Sequence, residues 1–242
     1  MGLLRNFGNF TINNSKDNYF KIIVVFLLFL LLNFDYKLAL IYIFMMFGDY
    51  IWYKSDNFIS FPIFRKQSTG IMPYIEGLAG LGLFLLISTF LVSTFSPQML
   101  GQGVIGGAQS IFHLLATSTP ILANSVVLTF ISWGIIVCII ETVFFNGRLL
   151  EGLSTYAELI TGKKVSLDKF SPQLVIVILV VAALFTLFHI TAKGLSSLPL
   201  LITFVFSVIS SILVLRHKEL KGAILLHMAT NSAAVAASQG WF

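Results

Sequence analysis

Long apolar runs, separated by short polar segments, dominate the pattern along this chain. A helix needs about 20 apolar residues to cross a bilayer, and most of these runs approach that length. The pattern therefore predicts an all-α, polytopic transmembrane bundle of about seven spans. The predicted spans are Tyr19–Leu32, Leu38–Tyr53, Ile71–Phe95, Ile121–Phe145, Leu174–Ala192, Leu198–Leu215 and Gly222–Ala237.

The segment Ser96–Pro120 fits two interpretations. It is uncharged, moderately apolar and rich in glycine, so it suits either a re-entrant or interfacial segment or an eighth, short span. Lys and Arg concentrate in the cytosolic loops of membrane proteins, and this rule favours the first interpretation. An eighth span would invert the topology after Pro120 and place the basic loops on the wrong side.

Basic residues occur mainly in the predicted loops Lys54–Gly70, Asn146–Pro172 and Arg216–Lys221. The positive-inside rule makes these loops cytosolic, together with the polar N-terminal tail, residues 1–18. With seven spans, the C-terminus then lies outside.

Composition excludes several classes of protein. The chain is 57% hydrophobic and only 10% charged, whereas a soluble domain is about 25% charged. Residues 1–242 are therefore predicted to form a single integral membrane domain in contact with lipids. The formal net charge of +5 does not indicate a nucleic-acid partner, because the basic residues are scattered over loops. The single cysteine, Cys138, can build neither a disulfide framework nor a cysteine metal site.

Ionisable side chains inside the apolar runs are candidates for function, because such groups are costly at membrane depth. Glu141 ends the fourth predicted span, and His189 lies in the fifth. His227 and Asn231 are four residues apart in the last span, so they share a helix face and can address one metal, water or substrate oxygen. Structural roles are the alternatives: an interfacial carboxylate for Glu141, and an imidazole bonded within its own helix for His189.

Other ionisable residues are weaker candidates. Glu76 lies near the start of the third predicted span, where it could line a substrate channel or simply suit the helix macrodipole. His217 belongs to a charged loop, so a solvated side chain is expected. His113 lies in the uncharged glycine-rich segment and is not placed in the site.

Peptide hydrolysis needs a base for water, a donor or metal for the oxyanion, and a proton for the leaving amine. Glu141 can act as the base and His189 can orient the water. His227 and Asn231 can stabilise the oxyanion. Alternatively, Glu141, His189 and His227 form an acceptable ligand set for a catalytic zinc ion, and the sequence leaves both arrangements open.

The order of these residues resembles the CAAX-protease and bacteriocin-processing family of intramembrane proteases, also called Abi. Members carry two adjacent glutamates followed by Phe, Arg and Gly, then FxxxH, then HxxxN. Glu141–Gly147, Phe185–His189 and His227–Asn231 reproduce that order, and the resemblance covers a catalytic-type core at residues 121–237.

The resemblance implies an endopeptidase that cuts near the C-terminus of a lipidated or membrane-associated peptide. It also implies that Glu141 and His189 activate water, while His227 and Asn231 polarise the scissile carbonyl or hold a metal.

Two positions depart from the family pattern. Thr142 stands in place of the second glutamate, and Asn146 stands in place of the arginine. These departures support a second hypothesis, a catalytically silent relative that serves as a scaffold or accessory subunit of a membrane complex. A small transporter or channel is the third class, and the lack of visible repeats counts against it.

Ideal helix geometry raises one difficulty for the enzyme hypothesis. His189 lies about 22 Å along its span, whereas His227 lies only about 8 Å into the last span, counted from the same side of the membrane. Parallel helices that start at one level would keep these two histidines apart.

Overall fold

The computed structural model describes residues 70–99, 111–112, 114–115, 126–162, 171–190 and 197–241. All of them lie in one compact unit, Thr69–Phe242. Regular structure within these ranges is entirely helical, in agreement with the predicted all-α class. The first two predicted spans and most of the Ser96–Pro120 segment fall outside the described residues.

The main helices of the described part are labelled α1 to α5. They are α1 (Met72–Phe95), α2 (residues 126–161), α3 (Pro172–Phe188), α4 (Ser197–His217) and α5 (Lys221–Ser238), and a short 3-10 turn at Pro97–Met99 follows α1. Among the described residues, three helices are long and apolar enough to cross a membrane: α1, α2 through Val126–Glu158, and α4. The shorter α3 is also apolar, and the predicted total of seven spans stays a prediction.

Helix α2 is longer than the predicted fourth span, which ended near Phe145. It alternates α-helical stretches with two π-helical stretches, Phe130–Ile136 and Thr142–Leu149. The predicted loop Asn146–Pro172 is therefore wrong over residues 146–161. Polar Glu151 and Ser154 are buried there, and the last stretch packs against α3, so tertiary contacts prolong the helix beyond its apolar part.

Helix α4 forms the centre of the described bundle, because 67% of its apolar window is buried, against 22% for α1. It packs against both α1 and α3. Phe84 of α1 meets Phe206 of α4 edge to face, with ring centroids 5.7 Å apart. The core therefore lies on the faces that these helices turn toward α4.

Glycines bring α1 and α5 into backbone contact. A Cβ atom added at Gly222 would lie 2.5 Å from the carbonyl oxygen of Pro73, and one at Gly77 would lie 2.6 Å from the carbonyl oxygen of Gly222. Such small-residue contacts are typical of membrane helices, which gain stability from close packing rather than from a hydrophobic driving force. This contact holds α5, which carries two candidate residues, against α1.

Candidate active site

Glu141 lies inside α2, at the junction between the α-helical stretch Val137–Glu141 and the π-helical stretch Thr142–Leu149. Its side chain is only 3% exposed. The interpretation of Glu141 as a carboxylate that marks a helix end is therefore wrong, because α2 continues through Thr161. Short π-helical turns inside α-helices occur frequently at functional sites.

Two histidines face this carboxylate from other parts of the chain. Oε2 of Glu141 lies 3.7 Å from Nε2 of His189 and 3.6 Å from Nε2 of His227. Direct hydrogen bonds are shorter, about 2.7–3.2 Å, so neither of these two pairs is in direct hydrogen-bond contact. Glu141, His189 and His227 are called the site cluster below.

The separation expected from ideal geometry is wrong. Both imidazoles reach the same carboxylate oxygen, although His189 directly follows α3 and His227 lies in the first half of α5. These helices therefore do not run parallel from a common level. Tilt or axial offset brings the two histidines together.

The surroundings of His189 determine its tautomer. Its Nδ1 lies 2.8 Å from the carbonyl oxygen of Phe185, and a carbonyl can only accept, so Nδ1 carries the proton. In the neutral ring, Nε2 is then an acceptor, and it faces Glu141. His189 thus has the structural role suggested from the sequence, a bond to its own helix, and also belongs to the site cluster.

Aromatic rings hold both imidazoles. The Phe185 ring centroid lies 4.4 Å from that of His189, and the Phe206 centroid lies 4.9 Å from that of His227. Phe145 packs edge to face on Phe185 at 5.0 Å. Phe145 of the first motif, Phe185 of the second motif and Phe206 of α4 therefore form the frame of the site.

Asn231 is anchored to the π-helical part of α2. Its Nδ2 donates to the carbonyl oxygen of Trp133 at 3.2 Å. Gly134 makes this approach possible, because a Cβ atom there would lie 2.8 Å from Oγ of Ser232. The amide group has two N–H donors, and the bond to Trp133 uses one.

A small cavity lies beside the site cluster. Its volume is about 30 Å³, enough for about two water molecules at 10–15 Å³ each. Its polar walls come from His189, Thr203, His227, Thr230 and Asn231, and its other walls are aromatic or aliphatic. Glu141 is not among the residues that line it.

The site cluster holds the same three side chains that the sequence suggested as zinc ligands. Within the described ranges, no group of three or more His, Cys, Asp and Glu side chains is arranged to hold a metal ion. A zinc ion on Glu141, His189 and His227 stays a prediction.

Comparison with protein families agrees with the three motifs. Residues 123–233 match the model of the Rce1-like type II CAAX prenyl endopeptidases. The resemblance inferred from the sequence is confirmed, and the matched region contains Glu141, His189, His227 and Asn231. No curated protein and no solved structure matches the chain.

The two departures from the Rce1-like pattern are both buried and hydrogen-bonded. Oγ1 of Thr142 lies 3.0 Å from Nδ1 of His227. Asn146 donates to Oγ of Ser211 at 2.9 Å and accepts from Oγ of Ser210 at 3.2 Å. The sequence analysis missed these contacts, because the partners lie 64 to 85 positions away along the chain. The only local signal was the position of Thr142 beside Glu141.

His217 has a different role from the one expected. It ends α4 with a side chain only 17% exposed, and its Nε2 lies 2.8 Å from Oε2 of Glu76. Arg216 Nε lies 2.7 Å from the same oxygen. The prediction of a solvated His217 is wrong, because the end of α4 packs against α1. Glu76, Arg216 and His217 are called the terminal cluster below.

Proposed function

We propose that the chain is an intramembrane endopeptidase that hydrolyses a peptide bond in a membrane-associated or lipidated substrate. The Rce1-like match supports an intramembrane endopeptidase at the family level. The observation that carries the proposal is the meeting of Glu141, His189 and His227 from three separate parts of the chain. These groups lie beside a cavity large enough for water.

Glu141 and His189 are suited to activate water. Nε2 of His189 is an acceptor because Nδ1 is bonded to Phe185, and Oε2 of Glu141 is an acceptor when ionised. A water molecule between them donates one hydrogen to each and directs a lone pair away from both. Glu141 then removes a proton as the water attacks the scissile carbonyl carbon.

His227 and Asn231 are suited to bind the oxyanion that forms on the attacked carbonyl. Both line the cavity, from neighbouring turns of α5. Removal of one such donor typically lowers kcat by about 10²–10³-fold. The proton held by Glu141 then passes to the leaving amine, which completes hydrolysis and returns the carboxylate to its starting state.

A zinc ion on Glu141, His189 and His227 is the alternative route to the same reaction. Such an ion would polarise the carbonyl or activate water as a Lewis acid. Addition of a chelator to the cleavage assay distinguishes this route from the metal-free one.

The alternative function is a silent relative that binds a partner in a membrane complex. Its support is the replacement of two charged family residues by Thr142 and Asn146. In this case the site cluster would be a remnant without turnover.

Cleavage by the purified full chain in lipid nanodiscs tests the proposal. The substrates are membrane-bound peptides with and without a C-terminal prenyl group, assayed with and without a metal chelator. Glu141→Gln is the test variant, and Glu76→Gln is the matched control because it changes the same residue type in the terminal cluster.

We expect the wild type and Glu76→Gln to cleave, and Glu141→Gln to lose at least about 10³-fold in rate. If the chelator abolishes cleavage, the zinc route is the mechanism. If all three proteins are folded and none cleaves any peptide, the endopeptidase proposal is rejected in favour of the scaffold.

A further inference from the structure

Thr142 is bonded differently from other threonines of the bundle. Its hydroxyl reaches across to another helix, where Oγ1 lies 3.0 Å from Nδ1 of His227. In contrast, five threonines donate to the carbonyl four residues earlier in their own helix: Thr94, Thr161, Thr186, Thr203 and Thr230. The local bond is thus the usual one here, and Thr142 departs from it at the candidate site.

The backbone does not impose this departure. Thr142 begins the π-helical stretch Thr142–Leu149, yet its own N–H still bonds the carbonyl of Cys138, four residues earlier. The residue is completely buried, so its hydroxyl must be satisfied inside the protein. His227 is the partner that the structure gives it.

Glu141 and Thr142, which are adjacent in α2, face the two ring nitrogens of His227. Glu141 faces Nε2 of His227 at 3.6 Å, and Thr142 contacts Nδ1 at 3.0 Å. The hydrogen bond with Thr142 orients the ring, and Nε2 then faces Glu141. The remaining variable is which nitrogen carries the proton.

A hydroxyl group allows an arrangement that an ionised carboxylate does not. A carboxylate, the family residue at this position, can only accept, so it would hold a proton on Nδ1. A hydroxyl can donate to Nδ1 and leave the ring proton on Nε2, which faces the site. His227 then becomes a donor at Nε2, whereas His189 is an acceptor at Nε2 because of Phe185.

From this geometry, we infer that Thr142 is a positioning residue that donates to Nδ1 of His227 and keeps the ring proton on Nε2. This inference rests on the proposed function, in which Nε2–H of His227 stabilises the oxyanion. The departure at position 142 thus replaces a partner that only accepts with one that can donate to Nδ1 of His227.

Asn146 is a second uncharged residue on the face of α2 that carries Thr142. It lies one turn beyond Thr142, and its amide is satisfied by Ser210 and Ser211 of α4. The family pattern has a glutamate and an arginine at these two positions, four residues apart and hence neighbours on the helix. This chain replaces both charges together, so no unpaired charge is left at either position.

Substitution of Thr142 tests the inference. Thr142→Val keeps the shape and removes the hydroxyl, whereas Thr142→Ser keeps the hydroxyl. Thr186→Val is the matched control, because Thr186 bonds its own helix at Ala182 and does not line the cavity. Each full-length protein is examined in nanodiscs for kcat and KM on the peptide cleaved by the wild type. Histidine is labelled with ¹⁵N, and the ring resonances of His227 are identified as those missing from His227→Gln. Their chemical shifts report the tautomer even in a protein without activity.

We expect Thr142→Val to lower kcat by about 10–100-fold, as for the loss of a hydrogen bond that orients a functional histidine, with KM unchanged. Thr142→Ser should stay within about threefold of wild type by the same reasoning, and Thr186→Val should be unchanged. In the wild type, Nε2 should be the protonated nitrogen of His227, and Thr142→Val should shift protonation toward Nδ1.

A protonated Nδ1 in the wild type, or an unchanged kcat in Thr142→Val, would overturn the inference. Failure of the proposed function is distinguishable, because the ¹⁵N result can support or reject the tautomer even in a protein that cleaves no peptide.

Discussion

The site cluster and the terminal cluster both place a glutamate beside histidine, in different surroundings. In the terminal cluster, Glu76 Oε2 is in direct contact with Arg216 at 2.7 Å and His217 at 2.8 Å. The Arg216 side chain is 68% exposed. In the site cluster, Glu141 is 3% exposed and its two imidazoles stand 3.6 and 3.7 Å away.

This difference distinguishes the structural ion pair of the terminal cluster from the candidate active site. Direct contact between opposite charges at a helix end joins α1 to α4 and leaves little space for a reactant. The distances around Glu141 are longer than a direct hydrogen bond, and a cavity of about 30 Å³ lies beside His189 and His227. Spacing and burial, and not the residue types alone, therefore distinguish the two clusters.

The largest expected effect concerns the site histidines. His189→Gln and His227→Gln should each lower kcat/KM by at least about 10³-fold, and the double variant should be little worse, because groups that act together are strongly non-additive. Single-turnover cleavage of the best peptide measures the three rates. Independent, multiplicative losses would show that the two histidines do not act on one reacting centre.

A smaller loss is expected at the oxyanion position. Asn231→Leu should lower kcat by about 10²–10³-fold, as expected for one lost donor, with little change in KM. Ser238→Ala is the control on the same helix, since its hydroxyl donates to the local carbonyl of Val235 and accepts from the adjacent Gln239. A change confined to KM would assign Asn231 to substrate binding instead.

Much of the bundle follows from the apolar pattern. The runs Ile71–Phe95 and Leu198–Leu215 predict α1 and α4 within a few residues, because lipid-facing and core-facing positions are both apolar. The end of α2 could not be predicted in this way. Glu151 and Ser154 look like loop residues in the sequence, yet they are buried in helix.

The composition of the site was more predictable than its geometry. Burial cost and motif order point to the four candidates, and the structure brings them to one place. The partner of Thr142 could not be predicted, since it depends on the winding of α2 and on a helix 85 positions away. The meeting of His189 with His227 depends on helix tilt, which a linear pattern does not encode.

Packing near the terminal cluster should affect stability and not the chemistry. Gly222→Ala should lower the free energy of unfolding by about 1–3 kcal/mol, because the added methyl overlaps the carbonyl of Pro73 and must displace it. Gly82→Ala is the matched control, since a Cβ atom there meets nothing within 4 Å. Thermal unfolding in nanodiscs measures both. Equal midpoints for the two variants would contradict the close contact between α1 and α5.

The smallest effect is expected at Glu76. Glu76→Gln should lower the free energy of unfolding by at most about 1 kcal/mol, because partly exposed ion pairs contribute little. The difference from wild type should shrink further at high salt. A loss of activity as large as that of a site-cluster variant would mean that the two clusters are not functionally distinct.

The placement of His227 and Asn231 on α5 has a consequence for biogenesis. Glu141 and Thr142 emerge from the ribosome long before α5 does, since synthesis proceeds from the N-terminus. The site cluster therefore cannot assemble until α5 has been translated and inserted beside α2. Nascent chains that stall earlier would contain Glu141 without His227 and Asn231, so the proposed hydrolysis could not occur in them at the translocation machinery.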